Sequence, residues 1–573
     1  MNELIVLCTL ALISAPCVSA LAAAADGPSL FPRPKEVKWL GGPFPIPAGA
    51  TAIVIGAGAT EPEQYAAEAL QRYVNKRFGR KWPILRETAD LNLYKLIVLL
   101  GQRSTCKMID SLCRKWSIKL TDRSPGHDGY VIQFGNDSGR EIAMVGGSVP
   151  RGVVYGQDTL FQLISEQNVR GTSAARQDGR NVYLDGEPRY LTFQPAAIRD
   201  WPSIPWRGRP HSDISLYDRP NTFDSFAQAR VNFIDLRLGN RIYGTPPGFK
   251  LDVEKTKHVL NEAHRRGLFV FATVDCAVPE EQHGAVIKTY EEFISLGADG
   301  IYISIDDPGA DFRMGTSIPL IKRIVELGKK HGVTGSKIAI VPGKESYLEI
   351  ATETNYKVGH TPGMERALLF QTKPPSGENL RKTLACGFKI PPAWWLNWPR
   401  PRGGFTHDGN RSMRADRKQP YMDLSPLSEG WWNPSWESIA NAGKQCSGVQ
   451  PWGGSVWGNE YTCHVLNMWA WSPEQHDWTA HRRRIYDIVF GPDMVDAAMR
   501  FDDLHNALRR LFVMAPDYAG RDRADGLYSW PPVLRSIEDR PEALQLVAQL
   551  EETLKTLEKG SAKGSLLNDD QLV

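Results

Sequence analysis

Between residues 200 and 475 the apolar positions alternate between two rhythms. Val231–Leu236, Leu268–Val274, Ile338–Val341, Ala367–Gln371 and Ala393–Leu396 are short runs of the kind that form buried strands. Asp224–Ala229, Asp252–Arg266, Ile287–Leu296 and Ile318–His331 instead repeat at helical spacing, with Gly267 and Gly332 as stops after the second and fourth. Strand–helix units repeated at this spacing predict a parallel (β/α)8 barrel over residues 195–475.

One of its strands is singular. In Gly300–Asp311, Ile301, Ile303 and Ile305 alternate with Tyr302 and Ser304, and the run stops at Asp306-Asp307-Pro308-Gly309. Neighbouring residues on a strand point to opposite faces. Two adjacent aspartates share a pocket only where a strand ends and the backbone turns, and Pro308-Gly309 supplies that turn. A strand delivering carboxylates at its C-terminal end is how such a barrel presents catalytic groups. Asp-Asp-Pro-Gly is also good turn chemistry on its own.

Residues 28–190 mix strands (Thr51–Ile55, Lys95–Leu100, Tyr130–Phe134, Glu141–Val145) with helices (Glu63–Phe78, and Gly152 to about Ser165). That mixture predicts a small α+β domain ahead of the barrel. After residue 475 the pattern is helical, over His481–Phe490, Asp493–Phe512 and Pro541–Glu558, so residues 476–573 form a helical C-terminal region.

Composition narrows the function. The 573 residues are 42% hydrophobic and 23% charged, with a net charge of +3, which calls for neither nucleic acid nor a membrane surface. Most of the seventeen tryptophans fall between Trp394 and Trp478. Each reads as core, but together they compete as a platform for sugar rings. Residues 1–25 read as a signal peptide with Val18-Ser19-Ala20 before the cleavage site, which predicts export and no membrane span. Export permits disulfides, and Cys106–Cys113 and Cys446–Cys463 are the pairs to test. No cysteine or histidine spacing matches a zinc site.

Two further stretches carry chemistry: Pro392-Ala393-Trp394-Trp395-Leu396-Asn397-Trp398-Pro399, whose strand ends at an amide suited to grip an acetamido group, and Val449-Gln450-Pro451-Trp452. With Phe31-Pro32-x-Pro34 and Gly152-x-x-Tyr155-Gly156-x-x-Thr159-Leu160-x-Gln162-Leu163, the N-terminal part resembles the domain preceding the barrel in hexosaminidases of glycoside hydrolase families 20 and 84. The strand into Asp306-Asp307 and Trp395-x-Asn397-x-Pro399 make the barrel similar to β-N-acetylglucosaminidases of family 84, since family 20 has Asp-Glu at the pair.

The resemblance implies substrate-assisted retaining hydrolysis, without metal or organic cofactor, of an N-acetylated amino-sugar glycoside. Asp306 would orient the acetamido group and Asp307 would act as acid and base. Two close carboxylates disfavour double ionisation, which raises one pKa toward neutrality. Trp395 would wall the acetamido pocket and Asn397 would bond the sugar. Arg207, beside Gly208 at the entry of the first barrel strand, would hold sugar hydroxyls.

Departures surround that core. The Gly-Phe-Tyr-Gly signature is replaced by Gly208-Arg209-Pro210-His211. No lysine follows the second strand near Leu238-Gly239-Asn240. Glu345 stands for a tyrosine, Arg402 for an aspartate, and Gln450-Pro451 for Asn-Pro. Arg402 inverts local charge and would favour a sulfate or uronate on the sugar. The competing reading is a catalytically silent carbohydrate-binding protein on the same barrel.

Overall fold

The computed structural model describes residues 27–168, 176–177, 180–181, 189–209, 222–239, 244–305, 314–343, 346, 349–371, 377–397, 445–452, 466–475, 477–514, 532–534 and 536–560. The expected leader at residues 1–25 lies outside them. No described helix is long and apolar enough to cross a membrane.

Eight parallel strands close into a barrel in chain order: Trp206–Arg209, Phe233–Leu236, Phe269–Asp275, Gly300–Ser304, Ile338–Val341, Leu368–Gln371, Ala393–Asn397 and Gly448–Trp452. The first strand closes on the eighth through Trp206↔Gly448 and Arg207↔Val449. Alternation sorts the side chains into two cores. Ile234, Val270, Ala272, Ile301, Ile303 and Ile340 pack with helix residues such as Phe226, Leu260, Tyr290 and Ile324. Phe233, Phe271, Tyr302, Val341, Phe370 and Trp395 form a separate cluster that fills the barrel.

Local chemistry sets the boundaries. Asp252 caps helix Val253–Arg265 by accepting the Lys255 N–H at 3.0 Å. Helix His283–Leu296 ends on Gly297 at φ 113°, a left-handed turn that leads straight into the strand at Gly300.

Ahead of the barrel stands a seven-stranded mixed sheet. Its order is Glu36–Trp39, Ala196–Asp200, Tyr130–Asp137, Arg140–Gly147, Leu96–Gly101, Thr51–Ile55, Ile84–Arg86, so the sheet draws a strand from beyond residue 190. Helices Glu61–Phe78 and Pro150–Phe161 pack on one face, and Lys107–Lys115 packs on the other. Helices Trp478–Phe490, Val495–Arg510 and Arg540–Gly560 follow the barrel, with a short hairpin of Phe512–Met514 and Pro532–Leu534 between the last two.

The three parts meet at a buried charge cluster. Asp128, fully buried, accepts from Arg151 at 2.7 and 3.0 Å, from Arg207 at 3.0 Å and from Asn232 at 2.9 Å. Burial alone would raise its pKa, yet Arg151, His127 and Arg207 hold the carboxyl well below the usual range. Beside it Asp200 accepts from Tyr130 and from the Trp471 indole, each at 2.7 Å, and Arg230 lies 4.1 Å from the Trp471 ring centroid. Arg484, on the first C-terminal helix, reaches Asp158 at 2.8 Å.

Two expectations are corrected here. Cys106 and Cys113 are buried and unbonded. They sit at the start of and within one helix, seven residues or about 10 Å of rise apart, too far for a disulfide. Burial pushes the Cys106 thiol up to about 12. Cys446 is also buried and free, and Cys463 lies outside the described residues. Trp394, Trp469 and Trp471 are core residues, 0–1% exposed, so these three offer no sugar platform.

Candidate active site

The fourth strand, Gly300–Ser304, is buried at every position. Ile301 and Ile303 face the helices while Tyr302 enters the barrel core. The described chain continues through Ile305, whose N–H donates to the Val341 carbonyl at 3.0 Å. Asp306 and Asp307 follow and lie outside the described residues, as do Arg402 and Glu345.

Of the expected pocket residues, Trp395 sits on the seventh strand, 5% exposed, in the same interior cluster as Tyr302, Val341 and Phe370. Its register partner on the eighth strand is Gln450. Asn397 ends the seventh strand and is paired in register with Trp452. Strands four, seven and eight therefore converge: Tyr302 donates its hydroxyl to Gln450 Oε1 at 2.8 Å.

Two expected sugar ligands are committed elsewhere. Arg207 is fully buried at the N-terminal end of the first strand, the end away from a (β/α)8 active site. Its Nε donates to the Arg230 carbonyl at 2.8 Å, Nη1 to the Ile204 and Pro205 carbonyls, and Nη2 to Asp128. This corrects its assignment to sugar hydroxyls: it joins the barrel to the N-terminal domain. Gln450 is 1% exposed, and its two amide N–H groups go to the Arg209 carbonyl at 3.0 Å and Asp235 Oδ2 at 3.4 Å. With its carbonyl held by Tyr302, it ties strands together rather than offering donors to a ligand.

The polar centre of the barrel interior was not anticipated. Asp235, on the second strand, receives Arg237 through Nε at 3.0 Å to both carboxylate oxygens and through Nη2 at 2.8 Å. The Thr273 hydroxyl also donates to Asp235. Arg237 lies 5.7 Å from the Tyr302 ring centroid. Asp275 ends the third strand, paired in register with Ser304, and its Oδ1 accepts the Ala277 N–H at 3.0 Å. The signal was present in Phe233-x-Asp235-x-Arg237, a period-2 pattern carrying charge where the barrel interior is apolar.

The architecture is that of a (β/α)8 barrel behind a mixed α/β domain, with acids and amides at its strand ends. Comparison with known proteins places that architecture. Residues 27–201 match the family model described as glycosyl hydrolase family 20, domain 2. No curated protein matches the sequence. CpGH84B is 14% identical, with a TM-score of 0.53 over 93% of this chain and 84% of that one. BtGH115A, a family GH115 4-O-methyl-alpha-glucuronidase with specificity for decorated arabinogalactans, is 14% identical, with a TM-score of 0.56 over 91% of this chain and 70% of that one. The chitobiase FjGH20 of Flavobacterium johnsoniae is 11% identical, with a TM-score of 0.50 over 93% and 89%. The two families that the sequence resembles, 20 and 84, are thus both represented, and the shared property is the fold.

Proposed function

We propose that the chain is an exported glycoside hydrolase that removes terminal β-linked N-acetylglucosamine, or a related N-acetylhexosamine, with retention and with the substrate's own acetamido group as nucleophile. The observation that carries this is the fourth barrel strand. It belongs to a closed parallel barrel, and its sequence runs directly from the buried Ser304 and Ile305 into Asp306-Asp307 at the C-terminal end. The family 20 domain model over residues 27–201 and the glycoside-hydrolase fold neighbours support the same class.

In this mechanism Asp306 accepts the acetamido N–H and stabilises the positive charge that develops as its oxygen attacks C1. Asp307 protonates the departing glycosidic oxygen and then takes a proton from water as it opens the oxazoline. Trp395 walls the acetamido pocket, and Asn397 bonds the sugar. Arg402 gives the outer part of the site a preference for an anionic substituent.

The test is hydrolysis of a chromogenic N-acetyl-β-glucosaminide by the parent and by Asp307→Asn. Turnover is expected, and the substitution should lower kcat about 10²–10⁴-fold, the worth of a positioned acid–base group. Sugar binding without turnover by the parent would favour the silent carbohydrate-binding reading. In a panel of sulfated and plain aryl glycosides, equal or better cleavage of the plain sugars would remove the anionic preference.

A further inference from the structure

We propose that a cavity at the seam between the N-terminal domain and the first C-terminal helix is a second ligand site, which takes a small carboxylate carried on a ring. None of the residues lining it belongs to a barrel strand, and it goes beyond the hydrolase reading without resting on it.

The seam leaves room there. Helices Glu61–Phe78 and Pro150–Phe161 end on two rings whose centroids lie 6.0 Å apart. Helix Trp478–Phe490 approaches that end and is tied to it by Arg77 and Asp487 at 3.0 Å. A cavity of about 400 Å3 remains between them, within the range of small-molecule sites.

Its walls divide by chemistry. Phe78, Phe161, Ala480 and Val495 give apolar surface. Arg77, Arg483 and Arg484 line it with Asp487, three cations to one carboxylate among the described residues. Asp487 is already shared: Oδ1 takes Arg77 Nη1 at 3.0 Å, and Oδ2 takes Arg484 Nη1 at 2.9 Å. Arg484, 8% exposed, gives Nη2 to Asp158 at 2.8 Å, outside the lining. Its buried Nε finds no acceptor among the described residues. Burial pulls the Arg77 pKa below its ordinary value although Asp487 opposes it, and the Arg484 charge adds to the pull. A negative charge in the cavity would relieve that penalty.

Arg483 is the group placed to meet such a charge. Its side chain is half exposed, and its partner Asp496, 2.9 Å away, is 86% exposed and stands outside the lining. Surface pairs of this kind hold weakly. The guanidinium fork can therefore exchange Asp496 for a ligand carboxylate, which it grips through two parallel N–H bonds. Apolar surface adjoins the cations within the same cavity, since the Arg77 guanidinium lies 5.8 Å from the Phe161 ring centroid. A carboxylate joined to a ring matches both walls, because a ring of sugar or aromatic type buries an apolar face.

The experiment is titration calorimetry and thermal unfolding of the full chain with D-glucuronate and with phenylacetate. Glucose and 2-phenylethanol are their uncharged counterparts. One acid or both should bind and raise the unfolding midpoint as concentration rises. The uncharged counterpart should bind at least about tenfold more weakly. Preference for glucuronate identifies a sugar acid, and preference for phenylacetate an aromatic one. Arg483→Gln should weaken binding of the acid by about tenfold and leave the unliganded midpoint nearly unchanged. Asp496→Asn should tighten it by about two- to fivefold, since the competing carboxylate is gone. Ala480→Phe fills the cavity from the helix and should abolish binding. No saturable binding of either acid up to about 10 mM overturns the proposal. Equal binding of the uncharged counterparts, or binding retained in Ala480→Phe, overturns it as well. If Ala480→Phe does not fold, the opposite shifts of Arg483→Gln and Asp496→Asn decide: their absence overturns the proposal, and their presence upholds it. Turnover enters none of these readouts, so failure of the hydrolase reading would leave the second site standing.

Discussion

At the scale of single residues, the described structure separates side chains that act through charge from those that only fill space. His264 Nε2 lies 2.8 Å from Asp299 Oδ2, linking the end of one barrel helix to the loop before the fourth strand. The hydrogen bond and charge of Asp299 outweigh partial burial and raise the imidazole pKa above the ordinary histidine value of about 6.5. A histidine whose folded pKa is raised stabilises the fold fully below its unfolded pKa. That contribution is lost as pH rises through the folded value. Denaturant midpoints measured from pH 5 to 9 should therefore decline above about 6.5. His264→Gln should remove that part of the slope, and the loss should be modest because the pair is partly solvated. An unchanged pH slope in the variant would show that His264–Asp299 contributes nothing.

At the scale of elements, close packing inside the barrel makes some glycines obligatory and leaves others free. A Cβ on Gly208, in the first strand, would meet the Phe233 ring at 2.3 Å. That ring is itself packed against Trp206 and Phe271 at 5.9 and 5.1 Å between centroids. Gly208→Ala should lower stability by about 1–3 kcal/mol, the usual cost of overfilling a core. Gly284, exposed on helix His283–Leu296, meets nothing within 4 Å. Gly284→Ala should raise stability by about 0.4–1 kcal/mol. Thermal unfolding of the two variants checks both signs. Elements of this kind were legible because their signals are local: the fifth strand spans Ile338–Val341, as its apolar run predicts, and Gly267 and Gly297 end helices at positive φ. What was not legible depends on partners distant in sequence. The predicted helix Asp493–Phe512 runs one residue into the strand Phe512–Met514, and the pairing of that strand with Pro532–Leu534 is not predicted, because nothing local announces a partner across that interval. The first-strand arginine carried sugar-binding expectations, since an Arg-Gly start is the same string whether its guanidinium faces a ligand or Asp128. The pairing of Asp235 with Arg237 is not legible in the sequence, because a charged pair in a short apolar strand acquires meaning only once the strand is known to line a barrel.

At the scale of the whole molecule, the N-terminal domain, the barrel and the first C-terminal helix share one buried network rather than touching at a wet seam. Arg151 of the N-terminal domain donates to Asp128 and, through Nη1, to the Gly267 carbonyl of the barrel. Tyr155 donates to the Val231 carbonyl at 2.8 Å. Trp471, ahead of the first C-terminal helix, bonds Asp200 of the N-terminal sheet. These side chains are buried, so the parts cannot separate without breaking several buried and charge-assisted hydrogen bonds together. The chain should consequently unfold across these parts in one calorimetric transition. Asp128→Ala should be the most damaging single change at this junction, because it leaves Arg151 and Arg207 buried beside each other without their counter-charge, at a cost of about 3–5 kcal/mol. Asp128→Asn keeps the shape and part of the hydrogen bonding and should fall between that variant and the parent. Both should lower the midpoint of the single transition without splitting it. A scan in which the N-terminal domain melts apart from the barrel, in the parent or in either variant, would show that the two are joined side by side and that the buried arginines do not weld them. In that case a barrel expressed without residues 27–201 should retain turnover, whereas a welded molecule should lose its fold with its first domain.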